Sequence, residues 1–299
     1  MSWRTVVISS NSKLDLKLNY LVVRGTEIRK VHLSEISVLI IESTAVSMTA
    51  MLLCELSRRK IKVIFCDESH NPYGELVPHH GCHDSPSRLR SQICWNDSVK
   101  ADVWAAIVKR KIQNQAHLME RFDFDRAKML RGYAEEVQPG DPTNREGHAA
   151  KVYFNTLFGN EFSRKSDCTI NSCLNYGYAI LLSAVNREIS CLGYSTELGI
   201  FHDNTYNSFN LGSDLMEPLR PLVDRMVVDM DHNSFTIESK HSLASLLNQT
   251  VAIDGDNYRL LNALPLYVKS VATSLESGDV ERIRFCEYEN TCHEIDCLF

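Results

Sequence analysis

The residues of this 299-residue sequence best suited to chemistry are a few carboxylates and one histidine, in three separate stretches. The first stretch is Asp141-Pro142-Thr143-Asn144-Arg145-Glu146-Gly147-His148. Asp141 is predicted to cap a helix whose first position is Pro142, where a missing N–H does no harm. Ala150, Tyr153 and Leu157 follow Glu146 at spacings of 4, 7 and 11, so Glu146 shares the stripe that packs inward. A carboxylate there needs a cation or a proton, and a helix-edge salt bridge to Arg145 or Lys151 meets that need as well as a metal ion does.

The second stretch, Gly199-Ile200-Phe201-His202-Asp203-Asn204, is a predicted loop whose histidine is either a hydrogen-bonded structural residue or a ligand. The third is Ser213-Asp214-Leu215-Met216-Glu217-Pro218-Leu219-Arg220-Pro221. On a helix, Asp214 and Glu217 project from one face, the geometry of metal ligands or of a general base. Acidity favoured by a helix N-terminus is the plainer explanation. Pro221 does not fit a regular helix interior, so the helix kinks or begins near Pro218.

The elements that must position these groups fall into two classes. Residues 1–78 form a predicted β-rich, sandwich-like domain. Leu14, Leu16 and Leu18 alternate with polar residues, and 36–41 and 62–66 are short apolar β-branched runs. One helix is expected from Ala45, Met48, Leu52 and Leu56 after a Ser43-Thr44 cap, and Asn71-Pro72-Tyr73-Gly74 is a turn before a last strand. A linker is placed at 79–87 and an all-α catalytic domain at 88–299, with 286–299 as a tail. Trp104, Val108 and Ile112 mark a long helix, and further helices are expected over 143–158, 170–192, 236–248 and 257–275. The fold class is α+β.

Composition narrows the function. No apolar stretch is long enough to span a membrane and the N-terminus is strand-like, so a cytoplasmic location is expected. The net charge of −6 is unevenly spread: residues 86–187 carry 15 basic and 11 acidic side chains, residues 188–299 only 7 and 18. A polyanion should therefore meet the middle segment, where Lys109, Arg110, Lys111, Arg145, Arg164, Lys165 and Arg187 are candidate phosphate contacts, with Arg220 beyond it. An ordinary solvated helix face accounts for such charges equally well. The ten cysteines are expected to be reduced. Neither the His79–His83 cluster nor Cys286, Cys292, His293 and Cys297 has the paired spacing of a structural zinc site.

The order Asn144-Arg145-Glu146-Gly147, then Gly199-x-x-His202, then Asp214-x-x-Glu217-Pro218-x-Arg220-Pro221 resembles the CRISPR-associated spacer-acquisition integrases (CRISPR-associated protein one), most closely their type II branch. The resemblance covers nearly the whole chain. It implies an integrase of antiviral defence that joins a captured double-stranded DNA fragment to CRISPR repeat DNA, the fragment's 3′-hydroxyl attacking a phosphodiester. It implies a homodimer working with a small ferredoxin-like companion subunit and other type II CRISPR proteins. Glu146, His202 and Glu217 become the catalytic metal ligands, with Asp214 a further acidic position. Two carboxylates and an imidazole suit Mn²⁺ or Mg²⁺. Carboxylates about 4 Å apart repel by roughly 4 kcal/mol at an effective dielectric of 20, so without the ion one is expected to protonate or swing away. Tyr153 and Tyr206 are candidates for stacking on nucleotides, although core packing suits Tyr153 as well. A metal-dependent endonuclease acting on branched or duplex DNA, with water as nucleophile, uses the same ligands. A non-catalytic nucleic-acid scaffold needs none of them.

Overall fold

The computed structural model describes residues 4–68, 70–76 and 84–288, and it divides into two units, Met1–Gly81 and Cys82–Phe299. In the first unit the described strands are β1 (Arg4–Ile8), β2 (Ser12–Lys17), β3 (Tyr20–Arg24), β4 (Ile28–His32), β5 (Ile36–Ile41), β6 (Val46–Met48), β7 (Lys62–Cys66) and β8 (Pro72–Glu75), with one helix, α1 (Ala50–Arg58). They form two four-stranded sheets, ordered β1-β5-β7-β8 and β4-β3-β2-β6. β5 is apolar at nearly every position because parallel neighbours flank it and it is buried along its whole length. Ile8, Leu14, Leu21, Leu39 and Val63 from the two sheets meet Leu52 and Leu56 of α1 in one core.

Three expectations for this unit change. Thr49, not Ser43-Thr44, caps α1 by accepting the Leu52 N–H at 3.3 Å, and Val46–Met48 instead pairs with β2 as an edge strand. Leu18 leaves the alternation of β2 because it sits in the turn at φ 51°, exposed. The segment from Pro72 is itself the last strand, and the turn precedes it.

The second unit is mainly helical: α2 (Ser85–Ile93), α3 (Asp97–Met119), α4 (Phe124–Glu135), α5 (Arg145–Phe158), α6 (Thr169–Cys191), α7 (Asn210–Met216), α8 (Arg220–Val228), α9 (Ile237–Ala244) and α10 (Leu260–Ser277). The α+β class stands as expected. The region assigned to a linker already belongs to α2 from Ser85, while 79–83 lie outside the described residues. A hairpin, β9 (Thr250–Ile253) and β10 (Asp256–Arg259), replaces the expected start of the last helix at 257. Asp254 and Gly255, at φ 52° and 84°, supply its tight turn. α3 and α6 are the two longest helices, and both run through the core. α3 packs on α4, α5 and the 217–219 turn, while α6 packs on α7, α8, α9 and α10. No helix among the described residues is long and apolar enough to cross a membrane.

Candidate active site

Glu146 stands in the first turn of α5. The helix begins at Arg145 and not at Pro142, because Asp141 and Asn144 both adopt left-handed backbone, at φ 49° and 52°, and so close a turn before it. Asn144 is the N-cap and accepts the Gly147 N–H at 3.2 Å. A β-carbon at Gly147 would come within 2.6 Å of that same side-chain oxygen, which explains the glycine. Asp141 still caps, at longer range: its two oxygens accept the N–H groups of Arg145 and Glu146 at 2.8 and 3.0 Å. Ala149 and Tyr153 lie on the buried side of α5 and turn Glu146 toward α3.

Asp214 and Glu217 lie on a run of α7, a tight 3-10 turn at Glu217–Leu219, and α8. Two prolines pass through it because buried side chains replace the donors they lack. Pro218 has no N–H to close the tight turn onto the Leu215 carbonyl, and the Tyr267 hydroxyl donates to that oxygen at 2.9 Å. Pro221 has none for the Pro218 carbonyl, and Asn114 Nδ2 of α3 donates there at 2.7 Å. Both carboxylates are thereby fixed in the interior, Asp214 fully buried and Glu217 3% exposed.

His202 sits on a loop held by side chains. Gln92 Nε2 donates to the carbonyls of Ser195 and Leu198, both at 2.9 Å, and Asn210 Nδ2 donates to those of Glu197 and Asn204, both at 3.0 Å. Asp214 does most: its oxygens accept the backbone N–H groups of Ile200, Phe201 and His202 at 2.6, 3.1 and 3.1 Å, and the His202 Nδ1–H at 2.6 Å. A β-carbon at Gly199 would stand 2.2 Å from the His202 carbonyl and 2.8 Å from Asp214 Oδ2, so only glycine permits this loop. The hydrogen bond to Asp214 raises the His202 pKa, and the charges of Asp214, Glu217 and Glu146 add to it against burial. With the proton on Nδ1, Nε2 is the nitrogen that offers a lone pair. Asp214, its oxygens already engaged, orients the ring as carboxylates do behind metal-binding histidines.

The two glutamates converge on Lys111 of α3. Its Nζ lies 2.5 Å from Glu146 Oε1 and 2.5 Å from Glu217 Oε2. Glu217 Oε1 accepts from Arg220 Nε at 2.8 Å, while Oε2 is sealed from water with no well-aligned hydrogen bond, only the ammonium contact. Burial alone would raise the Glu217 carboxyl; the Arg220 and Lys111 cations outweigh it and hold the group below the usual range. Burial likewise works against the Lys111 ammonium, and Glu217 and Glu146 reverse it, so its pKa is raised. The expected repulsion between bare carboxylates is therefore absent, because the protein supplies its own cation. Lys111 is a buried part of the site and not the surface phosphate contact expected of it. Among the described residues no three His, Cys, Asp or Glu side chains are already gathered around one point. Two carboxylate oxygens nonetheless meet at a place that already holds a cationic group, and the charges of both glutamates reach His202; carboxylate oxygens and an imidazole are donors that suit a hard divalent ion.

Behind the site is a buried cluster that sequence reasoning missed. Asp224 of α8 accepts from the Tyr153 hydroxyl at 3.0 Å and from the Tyr178 hydroxyl, and the Arg220 guanidinium lies over the Tyr178 ring, 4.6 Å from its centre. Tyr153 is thus a core residue. Burial pushes the Asp224 carboxyl up to about 6, although both hydroxyls oppose this. Its stabilising contribution is fully present below the unfolded carboxyl's pKa of about 4 and lost as pH rises through 6, a change of about 3 kcal/mol. Denaturant unfolding of wild type and Asp224→Asn should show their stability difference shifting by that amount between pH 4 and pH 7, in favour of the variant at the higher pH. A constant difference would refute the assignment.

The remaining basic candidates do not form one surface. Lys109, Arg110 and Lys111 are consecutive on a helix and point in different directions: Lys109 pairs with Glu135 at 2.8 Å and Arg110 with Glu287 at 3.4 Å. Arg145 pairs with Glu136 at 2.7 Å and Arg187 with Glu188 at 2.5 Å, Arg164 bonds Asn171 and Asn175, and Lys165 is exposed. Arg220 and Arg164 both lie over the Tyr178 ring, and of the two Arg220 also pairs with Glu217. Another feature the sequence reading passed over is Phe201, half exposed and stacked on Trp104 with ring centres 4.4 Å apart and planes within 2°. Tyr206 is 96% exposed on the same loop region. Cys286 is a buried thiol whose pKa is pushed up to about 12; Cys292, His293 and Cys297, like the His79–His83 cluster, lie outside the described residues.

Comparison with known proteins bears on the family and the fold. The family model for "CRISPR associated protein Cas1" matches residues 5–242. The chain is 34% identical over 294 residues to a "CRISPR-associated endonuclease Cas1" of Neisseria meningitidis, covering 96% of this chain and 97% of that one. It is 28% identical to another from Francisella tularensis subsp. novicida, over 73% of this chain and 75% of the relative. Among solved structures it is similar to a casposase bound to integration product, with a TM-score of 0.76 at 18% identity over 99% and 96% of the two chains. A CAS1 protein from Thermotoga maritima aligns with a TM-score of 0.72 at 15% identity, over 98% of this chain and all of the other. By the span of the family match and the identity to the Neisseria protein, this chain is a member of the Cas1 family of CRISPR-associated proteins, whose matched relatives are named CRISPR-associated endonucleases.

Proposed function

We propose that this chain is a metal-dependent DNA integrase that joins the 3′-hydroxyl of a captured DNA fragment to a CRISPR repeat phosphodiester. The observation that carries this reading is the convergence of Glu146 and Glu217, from separate segments, on one cation position, with both charges felt by a histidine braced by a buried carboxylate. In this reading Glu146, Glu217 and His202 through Nε2 hold the metal, and Asp214 positions His202. A divalent ion bound there polarises a phosphoryl group and lowers the pKa of the attacking hydroxyl. Arg220, fixed between Glu217 and Tyr178, keeps the carboxylate aimed inward.

Hydrolysis by water is the second reading, favoured by the relatives named as endonucleases. A DNA fragment with a blocked 3′-end separates the two: joining stops, whereas nicking of branched or duplex DNA continues. If blocked and free ends give the same products, the integrase reading fails. Partners in this reading are double-stranded DNA, a second copy of the chain and a small companion subunit; a neighbour of the same fold is titled a Cas6-RT-Cas1–Cas2 complex. Phe201 offers the outer face of a preformed ring stack beside His202, suited to a nucleobase near the reacting end. Phe201→Ala should weaken binding of single-stranded 3′-overhangs by about tenfold, since a base–aromatic stack contributes roughly 1–3 kcal/mol. Fluorescence anisotropy with overhang and blunt duplexes checks this, and an equal effect on both would refute it.

A further inference from the structure

Lys111 is the least expected member of the site. A lysine with 7% of its surface exposed has lost most of its hydration, a cost that only close opposite charge offsets. Its ammonium contacts both Glu146 and Glu217 at 2.5 Å, and among the described residues those two carboxylates share no other ion-pair partner: Arg220 reaches Glu217 alone. Glu146, Glu217, Lys111 and Arg220 together carry no net charge, so the site at rest has no pull on a phosphodiester. A divalent ion bridging the same two oxygens cannot coexist with an ammonium between them, since ligand distances of about 2.0–2.2 Å leave no space for it.

We propose that Lys111 is a displaceable counter-ion: it holds Glu146 and Glu217 together before metal binding, and metal entry turns its ammonium out toward the substrate phosphate. This rests on the metal reading above and extends it. Displacement converts a neutral cluster into one with an excess of two positive charges, with Lys111 released to meet a non-bridging phosphoryl oxygen as a point charge. DNA phosphate would then be attracted only once the metal is in place, in a protein whose overall charge is −6.

The test uses the full chain with Mn²⁺ alone. Lysine acylation by acetic anhydride, quantified by mass spectrometry, should show Lys111 protected in chelator and at least several-fold more reactive in Mn²⁺, with the surface residue Lys109 unchanged. By calorimetry, Lys111→Met should bind Mn²⁺ about tenfold more tightly than wild type and melt at a lower temperature in chelator, having lost the competing cation. Lys111→Arg keeps the charge and presents a broader fork that pairs both carboxylates, so it should bind Mn²⁺ more weakly; this variant guards against a folding defect in the methionine one. If wild type binds Mn²⁺ and Lys111 acylation does not change, displacement is overturned and the metal reading stands. If neither wild type nor Lys111→Met binds Mn²⁺, the metal reading itself is overturned.

Discussion

Glu217→Gln is expected to reduce joining of a DNA 3′-end by on the order of 10³-fold, because a neutral amide gives up one of the two carboxylate charges that would draw a divalent ion to the proposed site. The side chain is almost fully buried, and its two oxygens face Arg220 Nε at 2.8 Å and Lys111 Nζ at 2.5 Å. Glutamine keeps the shape but leaves buried Lys111 and partly buried Arg220 short of one negative charge, so folding stability should fall by about 3 kcal/mol in the absence of metal. Glu146→Gln should lose joining to a similar degree with a smaller stability penalty, since Glu146 is a quarter exposed and meets only one of those cations. Strand-transfer assays in Mn²⁺, beside duplex binding by anisotropy and urea unfolding, separate these effects. Joining within tenfold of wild type would exclude Glu217 from the chemistry.

Asp214→Asn carries the second large effect, through the backbone. The wild-type carboxylate accepts three main-chain N–H groups and the His202 ring, with no solvent exposure. An amide turns one acceptor into a donor facing other donors, costing about 3–5 kcal/mol. The loss should be local, since Gln92 and Asn210 still hold the flanks of the loop. Hydrogen exchange at Ile200, Phe201 and His202 should therefore speed up by more than tenfold, and joining should fall about 10–100-fold, as for other groups that orient a metal-binding histidine. Unchanged protection of those three amides would show that Asp214 is not the clamp.

Much of the site was visible in one dimension because its parts obey local rules. Asn144 and Gly147 bracket Glu146 for reasons that concern a single helix turn: one caps, the other makes room for the cap. Asp214 and Glu217, three residues apart on helical backbone, both turn into the interior. What escaped the reading depends on contacts between distant segments. Nothing in Lys109-Arg110-Lys111 distinguishes the third residue from the first two; only the packing of α3 against α5 and the 217–219 turn selects it. Nor does Glu217-Pro218-Leu219-Arg220-Pro221 reveal that Tyr267 and Asn114 supply the donors its prolines lack. The β9–β10 hairpin was passed over because two four-residue strands offer too few alternations to outweigh the helical pattern that follows.

The sequence by itself determined the α+β division, the approximate helices and the three stretches that carry the acidic and histidine groups, since periodicity, caps and turn residues act over a few positions. Only the tertiary structure decided what each group faces. Burial makes an unpaired charge so costly that a partner must be found wherever the chain can bring one, and here that partner for Glu146 and Glu217 is a lysine 35 and 106 residues earlier in the chain.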